Sequence, residues 1–572
     1  MFTLLKRHWA ILAVFVLCFW AIKPLFAPGF FPIHDDEQIA RVFELDSALS
    51  DGQFPVRWVS HLGFGYGYPL FNFYPPFSYY MAEVFHMTGF SFIDSAKLVF
   101  ILGFFLSSLF MYLWVKEHFG KLAGVLAALL YVYAPYHAVN IYVRGSLPDF
   151  TAYAFIPAVF WLSDKLFKTK KLNYSILFGI LLAIIPLTHI LKIVSIFPFI
   201  SIYLIYLLLR DRKEIKKNLS LLLLSFAVAF GLTAYFLIPA ILEKGYTLVD
   251  EVNIGELYNY KLHFVYLRQF FNSPWGYGGS IYGLEDGLSF ELGKTHILFV
   301  FFSLLILSYS FIKKKTSEIN KAIIAFLLFL LSVYLTSFYS EWLWSRVKFL
   351  SYLQFPWRFL TYAAVFSSFL GGFVIYYVQK KFSSRLALVL FMVAIAMLFY
   401  FEASDYQPQK YLNVKDNYYT NLEDIKWRVS KASFEFVPKG IATKLSDIKT
   451  TQVDLEQKDI PDKPYKILSG NVKVEVLSDK SHSKIFQIKS KEKSVIQINT
   501  FSFPGWETAL DGKRVKYNDN NKLKLITVDI SEGMHNLSVN FVNTLPRAVG
   551  NAITLVTIFN LIGFGLFRLW KR

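Results

Sequence analysis

Four consecutive polar residues follow the first long apolar stretch of the chain: His34, Asp35, Asp36 and Glu37. Three adjacent carboxylates at a membrane surface repel one another, so they are kept where they face water and either bind a cation or take up a proton. Asp35 or Asp36 is therefore a candidate general base that removes a proton from a sugar or other hydroxyl nucleophile. The spacing Asp35-x-x-Gln38 allows another interpretation, in which Asp35 only caps an amphipathic helix predicted over 38–49.

A base at this position suits a donor in which a sugar is joined to a lipid phosphate. The leaving group is then a phosphate that needs no acid, only positive charge to hold it. Arg144, in the polar turn 144–149, could bind such a phosphate bidentately. Asp149, at the end of that turn, is either an additional metal ligand or the N-cap of the next span.

Three further positions could contribute to a binding site. Arg358 begins a later apolar segment, where the helix dipole opposes a cation, so a nearby anion would relieve it. His189 and Lys192 lie at predicted outer ends of spans, where single polar residues are often interface anchors. The aromatic stretch from Gly63 to Tyr80 could stack on sugar rings or lie at a membrane–water interface, and the sequence favours the interface.

The elements that position these residues are membrane spans. Apolar residues make up 55% of the 572 residues and aromatic residues 19%, which excludes an ordinary soluble protein. Apolar runs long enough to cross a bilayer recur along the chain. We predict twelve spans, near 9–27, 95–115, 122–141, 149–166, 174–188, 192–209, 219–242, 295–312, 322–338, 358–378, 386–402 and 548–567.

The distribution of charge orients these spans. Alternate loops and the two ends hold 23 of the 59 Lys and Arg but 5 of the 41 Asp and Glu, so they account for the whole net charge of +18. This is the positive-inside pattern of membrane proteins and not a nucleic-acid signal. It predicts a multi-pass protein of the cytoplasmic membrane with both termini cytoplasmic and the acidic residues extracytoplasmic. The first span is predicted to be an uncleaved signal anchor.

Residues 403–547 have a different pattern from the spans. Short segments alternate apolar and polar residues, as in 472–477, 484–488, 494–498, 523–528 and 536–541, and Asp-Gly and Glu-Gly turns separate some of them. An extracytoplasmic antiparallel β-sandwich is predicted. The lone cysteine, Cys18, allows no disulfide within the chain. The predicted organisation is a membrane module over 1–402 with its first outer loop at 28–94, the β-rich domain over 403–547, and a last span with a cytoplasmic tail over 548–572.

The acidic residues after the first span, the following helix and the multi-span body resemble the GT-C superfamily of polyprenyl-phosphate-sugar glycosyltransferases. Five closer motifs are His34-Asp35, Gly52-x-Phe-Pro-x-Arg57-Trp58, Phe73-Tyr74-Pro-Pro76, Arg144-Gly-Ser and Leu353-Gln-Phe-Pro-Trp357-Arg358. They resemble motifs of bacterial membrane proteins designated pyruvoyl-tetrahydropterin-synthase-related. Three C-terminal motifs are Phe503-Pro-Gly-Trp506, Asp511-Gly-Lys513 and Gly533-x-His535, and they resemble the outer β-domain of YfhO-type proteins.

The resemblance implies a GT-C-like fold and an inverting glycosyltransferase with Asp35 or Asp36 as the catalytic base, Asp35 being favoured. It implies a polyprenyl-phosphate-sugar donor, a glycan, lipid or protein acceptor and membrane lipid around the spans. The charge distribution predicts no nucleic-acid partner. A divalent cation, Mg or Mn, held by Asp35, Asp36 and Asp149 is an expectation. The expected substrate-binding and phosphate-binding residues are His34, Glu37, Arg57, Tyr74, Arg144, His189, Lys192, Trp357 and Arg358.

Two other classes of function remain open at this point. A transporter or flippase for a lipid-linked glycan would also span the membrane many times. Such proteins place charged residues near the bilayer midplane and often have paired halves, whereas the acids here gather at one face and no internal duplication is visible. An assembly factor for the cell envelope would make the β-rich domain the functional part and the acids incidental.

Overall fold

The structure, a computed structural model, describes residues 2–252, 259–311, 317–445 and 451–571. Within these ranges, eight helical segments are long and apolar enough to cross a membrane. They are Trp9–Phe26, Phe92–Phe119, Leu191–Arg210, Arg212–Tyr246, Ser317–Thr336, Pro356–Lys381, Ser384–Asp405 and Leu545–Trp570.

The predicted number of twelve spans is too high by this criterion, although each of the twelve predicted segments coincides with a helix in the described ranges. Lys121–Val132 and Pro135–Val143 meet the same criterion as a pair and are bent by 49° at the break between them; counted as one span, they raise the count in the described ranges to nine. Leu172–Thr188 and Lys294–Phe311 are apolar helices of 17 and 18 residues. At 1.5 Å per residue they reach about 26–27 Å, which is at the lower limit for a span. Leu147–Thr169 is long enough but carries several charged residues.

The chain packs as two units. The first contains Met1–Asp36, Ile93–Ala229 and Asn259–Val414, and the second contains Glu37–Phe92, Phe230–Tyr258 and Lys415–Arg572. Each unit therefore combines segments that are distant in sequence. The domain boundaries predicted at 402 and 547 remain predictions.

The first unit is helical, and Leu360–Lys381 lies at its centre. This helix is buried without interruption from Leu360 to Ile375. Two glycines on it, Gly371 and Gly372, leave no space for a side chain because Leu130 and Val115 lie against them. Small residues of this kind allow helices in a membrane to approach closely. The shorter α-helices of this unit are Phe2–Leu17, Phe19–Ile22, Pro135–Ala138, Glu341–Arg346 and Lys348–Ser351.

The second unit combines helices with a β-rich domain. Its α-helices include Gln38–Ser50, which confirms the predicted helix, with Leu70–Phe73, Phe77–Met87, Val249–Val252, Leu422–Asp424, Ser430–Ala432 and Leu545–Trp570. Its strands are β1 (Thr443–Leu445), β2 (Thr451–Val453), β3 (Tyr465–Ser469), β4 (Val472–Lys480), β5 (Ser483–Ser490), β6 (Ser494–Phe501), β7 (Trp506–Leu510), β8 (Lys513–Val515), β9 (Leu525–Ile530) and β10 (Gly533–Phe541).

The strands confirm the predicted antiparallel β-fold. One sheet has the order β4-β5-β10-β7-β8 and a second has the order β3-β6-β9, with β1 and β2 as a separate pair. Alternate residues of β5, β6, β9 and β10 are buried, and Tyr465 of one sheet packs edge-on against Phe486 of the other at 6.1 Å. Alternation with a period of two therefore builds a sandwich core between the sheets.

The aromatic stretch that begins at Gly63 packs against this β-domain. Tyr66 accepts a hydrogen bond on its backbone carbonyl from the Phe501 amide at 3.0 Å, and its hydroxyl donates to the Asp459 carbonyl at 2.6 Å. Upstream of it, the Trp58 indole contacts Trp506 at a centroid distance of 5.3 Å. These aromatic residues thus form a core with the β-domain, in place of the membrane–water belt that the sequence favoured.

Candidate active site

The turn at Arg144 and Gly145 places Asp35 in the first unit. One turn of π-helix, Val139–Val143, precedes Arg144, and such turns are frequent at functional sites. Gly145 has a φ of +61°, and a methyl group there would overlap Ile33. This close approach lets the Asp35 amide donate to the Arg144 carbonyl at 2.9 Å. The acidic motif is therefore hydrogen-bonded, backbone to backbone, to the arginine turn.

Asp149 is buried between two cations. Its Oδ2 lies 2.8 Å from Arg144 Nη1, and its Oδ1 lies 2.6 Å from Lys192 Nζ. Asp149 is fully buried and Lys192 is 1% exposed. The N-cap of helix Leu147–Thr169 is Ser146, so Asp149 does not cap this helix as the alternative interpretation suggested. A buried carboxylate paired in this way holds its two cations in place.

Arg358 completes a group that we call the cation cluster, which consists of Arg144, Lys192 and Arg358 around Asp149. The guanidinium of Arg358 is 7% exposed and stacks 5.4 Å from the centre of the Phe355 ring. Its Nη1 lies 3.4 Å from His189 Nε2. Among the described residues, its Nε has no hydrogen-bond partner, and neither does His189 Nδ1. The cluster therefore contains buried donors that the protein does not satisfy.

The charges of the cluster do not balance. Burial lowers the pKa of His189 to about 3, an effect that Asp149 opposes, so this imidazole is neutral at ordinary pH. Burial would lower the pKa of Arg144, but the carboxylates of Asp149 and Asp35 outweigh it and raise the pKa. Three cations then face Asp149, and Asp35 supplies a second carboxylate. An excess of positive charge in a buried site favours an anionic ligand.

Trp357 and His34 have defined places beside the cluster. The Arg144 guanidinium lies 4.8 Å from the centre of the Trp357 ring, whose Nε1 donates to Ser280 Oγ at 3.2 Å. The imidazole of His34 is exposed, and its Nε2 lies 3.0 Å from the Tyr277 carbonyl. The first unit therefore contains His34, Asp35, Arg144, Asp149, His189, Lys192, Trp357 and Arg358 in one neighbourhood, together with Asp36 in the same segment.

A divalent cation held by Asp35, Asp36 and Asp149 does not fit this arrangement. Both oxygens of Asp149 face cations of the protein. In the described part of the chain, no group of three or more His, Cys, Asp or Glu side chains is placed to hold a metal ion. Asp149 is therefore not available as a ligand for the expected Mg or Mn, and the reaction proposed below uses the protein's own cations.

The capping role considered for Asp35 is absent. Helix Gln38–Ser50 has Glu37 as its N-cap residue, and no side chain caps it. Glu37 forms an ion pair with Arg41 at 3.4 Å in the second unit. Arg41 in turn lies 4.2 Å from the centre of the Tyr74 ring and donates to Ser433 Oγ at 2.9 Å. Glu37 and Tyr74, both expected to bind substrate, therefore lie with Arg41 in the second unit.

Arg57 belongs to a second buried group, which we call the arginine network: Arg57, Asn72, Glu243, Arg547 and Asn551. Arg57 donates to Asn72 Oδ1 at 3.2 Å, to Asn551 Oδ1 at 2.9 Å and to the Tyr235 carbonyl at 2.8 Å. Arg547 Nη2 lies 2.9 Å from Glu243 Oε2. The guanidinium expected to bind substrate is thus held by three protein acceptors in the second unit.

Two polar residues that bond to the cation cluster were missed in the sequence analysis. Asn140 Oδ1 accepts from Arg144 Nη1 at 2.6 Å, and Thr361 Oγ1 accepts from Lys192 Nζ at 3.1 Å. Both are fully buried. Asn140 could have been found, because a polar residue within an apolar span is itself a functional signal.

Comparisons with known proteins support the membrane assignment. The family described as 6-pyruvoyl-tetrahydropterin synthase related domain, membrane protein, matches residues 71–404. An uncharacterized protein of Lactococcus lactis subsp. cremoris (strain MG1363) is 28% identical over 295 residues, which is 50% of this chain and 46% of that protein.

A solved structure is similar at a lower level. It is the Archaeoglobus fulgidus oligosaccharyltransferase tethered to an acceptor peptide, with 14% identity and a TM-score of 0.42 over 72% of this chain and 56% of that one. The chain spans about half the length of these two relatives. Because the family match covers more than half of the sequence, this chain belongs to the 6-pyruvoyl-tetrahydropterin synthase related family of membrane proteins.

Proposed function

We propose that the protein is an inverting glycosyltransferase of the cytoplasmic membrane, which transfers a sugar from a polyprenyl-phosphate-linked donor to an acceptor at the extracytoplasmic face. The observation that supports this most directly is the buried guanidinium of Arg358, whose one hydrogen-bond partner among the described residues is the neutral His189. A phosphate oxygen is the type of acceptor that arginine binds in such a setting. The acceptor substrate is a hydroxyl of a glycan, lipid or protein.

In the proposed reaction, Asp35 takes the proton from the acceptor hydroxyl. The oxygen attacks the anomeric carbon of the donor sugar while the bond from that carbon to the phosphate oxygen breaks. The bonding electrons leave with the polyprenyl phosphate, and a single displacement inverts the anomeric configuration. Asp36, adjacent to Asp35, is the alternative base.

The cation cluster acts on the leaving group in this proposal. The phosphate gains one negative charge as the bond to the sugar breaks, so cations already in place stabilise the transition state more than the bound donor. Asp149 positions Arg144 and Lys192, because its two oxygens hold one cation each. His189 contributes a neutral imidazole to the same region, and Trp357 contributes an aromatic face.

The proposal is tested by a transfer assay with purified protein and a panel of polyprenyl-phospho-sugars. We expect Asp35→Asn to lower the rate about 10²- to 10⁴-fold, as for the loss of a general base. Folding is expected to survive, because it is the Asp35 backbone amide that bonds to Arg144 and the side chain caps no helix. The chelator EDTA is expected to leave the wild-type rate unchanged, because the proposed reaction uses no metal.

Asp36→Asn is the matched control and should retain most of the activity. If Asp36→Asn is inactive and Asp35→Asn is fully active, the general base is Asp36. Full activity in both single variants and in the double variant contradicts the mechanism. If an intact lipid-linked sugar moves across the membrane of proteoliposomes without transfer to any acceptor, the result supports a transporter or flippase instead.

A further inference from the structure

A cleft of about 260 Å³ lies in the second unit, between the aromatic stretch and the start of the β-domain. None of the residues singled out for catalysis lines it. Its aromatic lining comes from Phe64, Trp427 and Phe434, and its polar lining from Lys431, Lys444, Gln452, Glu456 and Gln457. A mixed apolar and polar lining of this kind is typical of small-ligand sites.

The aromatic side of the cleft is held in a strained conformation. Phe64 has a φ of +62°, which is rare for a bulky residue, and its amide donates to Ser430 Oγ at 3.1 Å. Its ring meets Trp427 edge-on at a centroid distance of 6.1 Å. Trp427 remains half-buried. Strain of this kind persists where the surrounding structure fixes it, and it is concentrated at binding sites.

The polar side of the cleft offers amides and little uncompensated charge. Glu456 pairs with Lys458 at 2.6 Å, and Lys444 pairs with Asp454 at 3.4 Å. Lys431 lies 4.9 Å from the centre of the Trp427 ring. Gln452 is half-buried and Gln457 is exposed, so their side-chain amides are accessible to a ligand in the cleft. Amides that both donate and accept, beside an aromatic ring, suit a neutral ligand with many hydroxyl groups.

We propose that this cleft binds one pyranose ring of a glycan acceptor, with the ring against Trp427 and its hydroxyls bonded to Gln452 and Gln457. Its volume is just below the range of about 300–1,000 Å³ for clefts that hold drug-sized ligands, which fits a single ring better than an extended chain. The assignment of the glycan as the acceptor rests on the proposed function, whereas binding of the ring does not require transfer.

Saturation-transfer NMR on the full chain, in a detergent without a sugar headgroup, tests the proposal. The probes are the methyl pyranosides of glucose, galactose and N-acetylglucosamine, with the open-chain polyol mannitol as a control. At least one pyranoside should bind at millimolar concentration, and mannitol should not. Trp427→Ala should weaken this binding at least tenfold, while Tyr418→Ala removes an exposed aromatic side chain outside the cleft and should leave it unchanged.

A second variant is Gln457→Ala. The Gln457 side chain is exposed, so its removal should not affect folding. It should also weaken pyranoside binding. No difference between the pyranosides and mannitol, or unchanged binding in both cleft variants, overturns the proposal. Asp35→Asn should bind the pyranoside as the wild type does, so a failure of the proposed chemistry and a failure of this site give different results.

Discussion

The cation cluster and the arginine network are both buried groups of charged residues, but they differ in how the protein satisfies them. In the network, Arg57 has three protein acceptors, and Arg547 pairs with Glu243 while also donating to the Pro504 carbonyl at 2.9 Å. In the cluster, Arg144 and Lys192 share Asp149, and Arg358 has only the neutral His189 within hydrogen-bond distance among the described residues.

This difference separates a structural role from a binding role. Arg57 leaves its Nε without a partner in the described ranges, as Arg358 does, but three acceptors from distant segments hold its terminal nitrogens, so it fixes those segments. Arg358 has one neutral partner for its guanidinium among the described residues, and buried donors without a partner cost free energy of folding that a bound anion would return. Both groups contain arginines from polar motifs, so burial alone does not distinguish them; the number of protein acceptors does.

The largest effect is expected from breaking the arginine network at its only carboxylate. Glu243→Gln leaves Arg547 without an ionic partner in the interior, and removing one partner of a buried pair typically costs about 3–5 kcal/mol. Thermal unfolding of the purified protein in detergent measures the loss. The double variant Glu243→Gln, Arg547→Gln should recover part of the stability; an unchanged unfolding temperature in the single variant contradicts the structural role.

In the cation cluster, Arg358→Gln should affect the reaction and not the fold. Loss of a charged hydrogen bond to the donor phosphate should raise KM or lower the transfer rate about 10- to 100-fold. The unfolding temperature should stay the same or rise, because a poorly paired buried charge is removed. Arg57→Gln is the matched control, with the opposite pattern expected. Equal destabilisation by the two variants, without loss of transfer in Arg358→Gln, removes the distinction between the groups.

Gly145 tests how the cluster and the acidic motif are joined. Gly145→Ala forces a side chain into a left-handed conformation, at a cost of about 1–2 kcal/mol, and also displaces Ile33. Gly120→Ala is the control, since Gly120 has a φ of +91° but open space around it. Both variants should lose stability, and only Gly145→Ala should lose transfer activity. Equal activity in the two variants argues against a role of this turn in placing Asp35.

The smallest effect is expected from an exposed pair in the β-domain. The hydrogen bond to Asp511 Oδ2, at 2.7 Å, raises the pKa of His535 above its ordinary value of 6.5. The pair therefore stabilises the domain fully below pH 6.5 and loses this contribution as the pH rises through the higher pKa of the folded state. The hydrogen-exchange rate of the Asn536 amide, which donates to Asp511 Oδ1, should then rise with pH more steeply than the intrinsic exchange rate of an unprotected amide. His535→Gln should abolish this excess; if it persists, His535 is not its cause.

The sequence predicted the elements well because their signals are local. Hydropathy identifies apolar helices, and strict alternation identified strands such as β5, β6 and β10. The predicted count of spans was too high, because hydropathy identifies an apolar helix but not whether it crosses the bilayer. Leu172–Thr188 and Lys294–Phe311, for example, are helices whose length is at the limit for a span. For the aromatic stretch after Gly63 the sequence favours a membrane belt, because its partner strand is more than 400 residues away and no local pattern indicates that pairing.

By itself, the sequence determined that this is a multi-span membrane protein with a separate β-rich domain, and it identified Asp35, Arg144, Asp149 and Arg358 as candidate site residues. Residue type and local period are sufficient for such conclusions. Only the tertiary structure decided that Arg144, Lys192 and Arg358 gather around Asp149, whereas Arg57 is held by protein acceptors elsewhere. Pairing depends on contacts between segments far apart in the chain, and no local pattern encodes which acceptor a buried cation will meet.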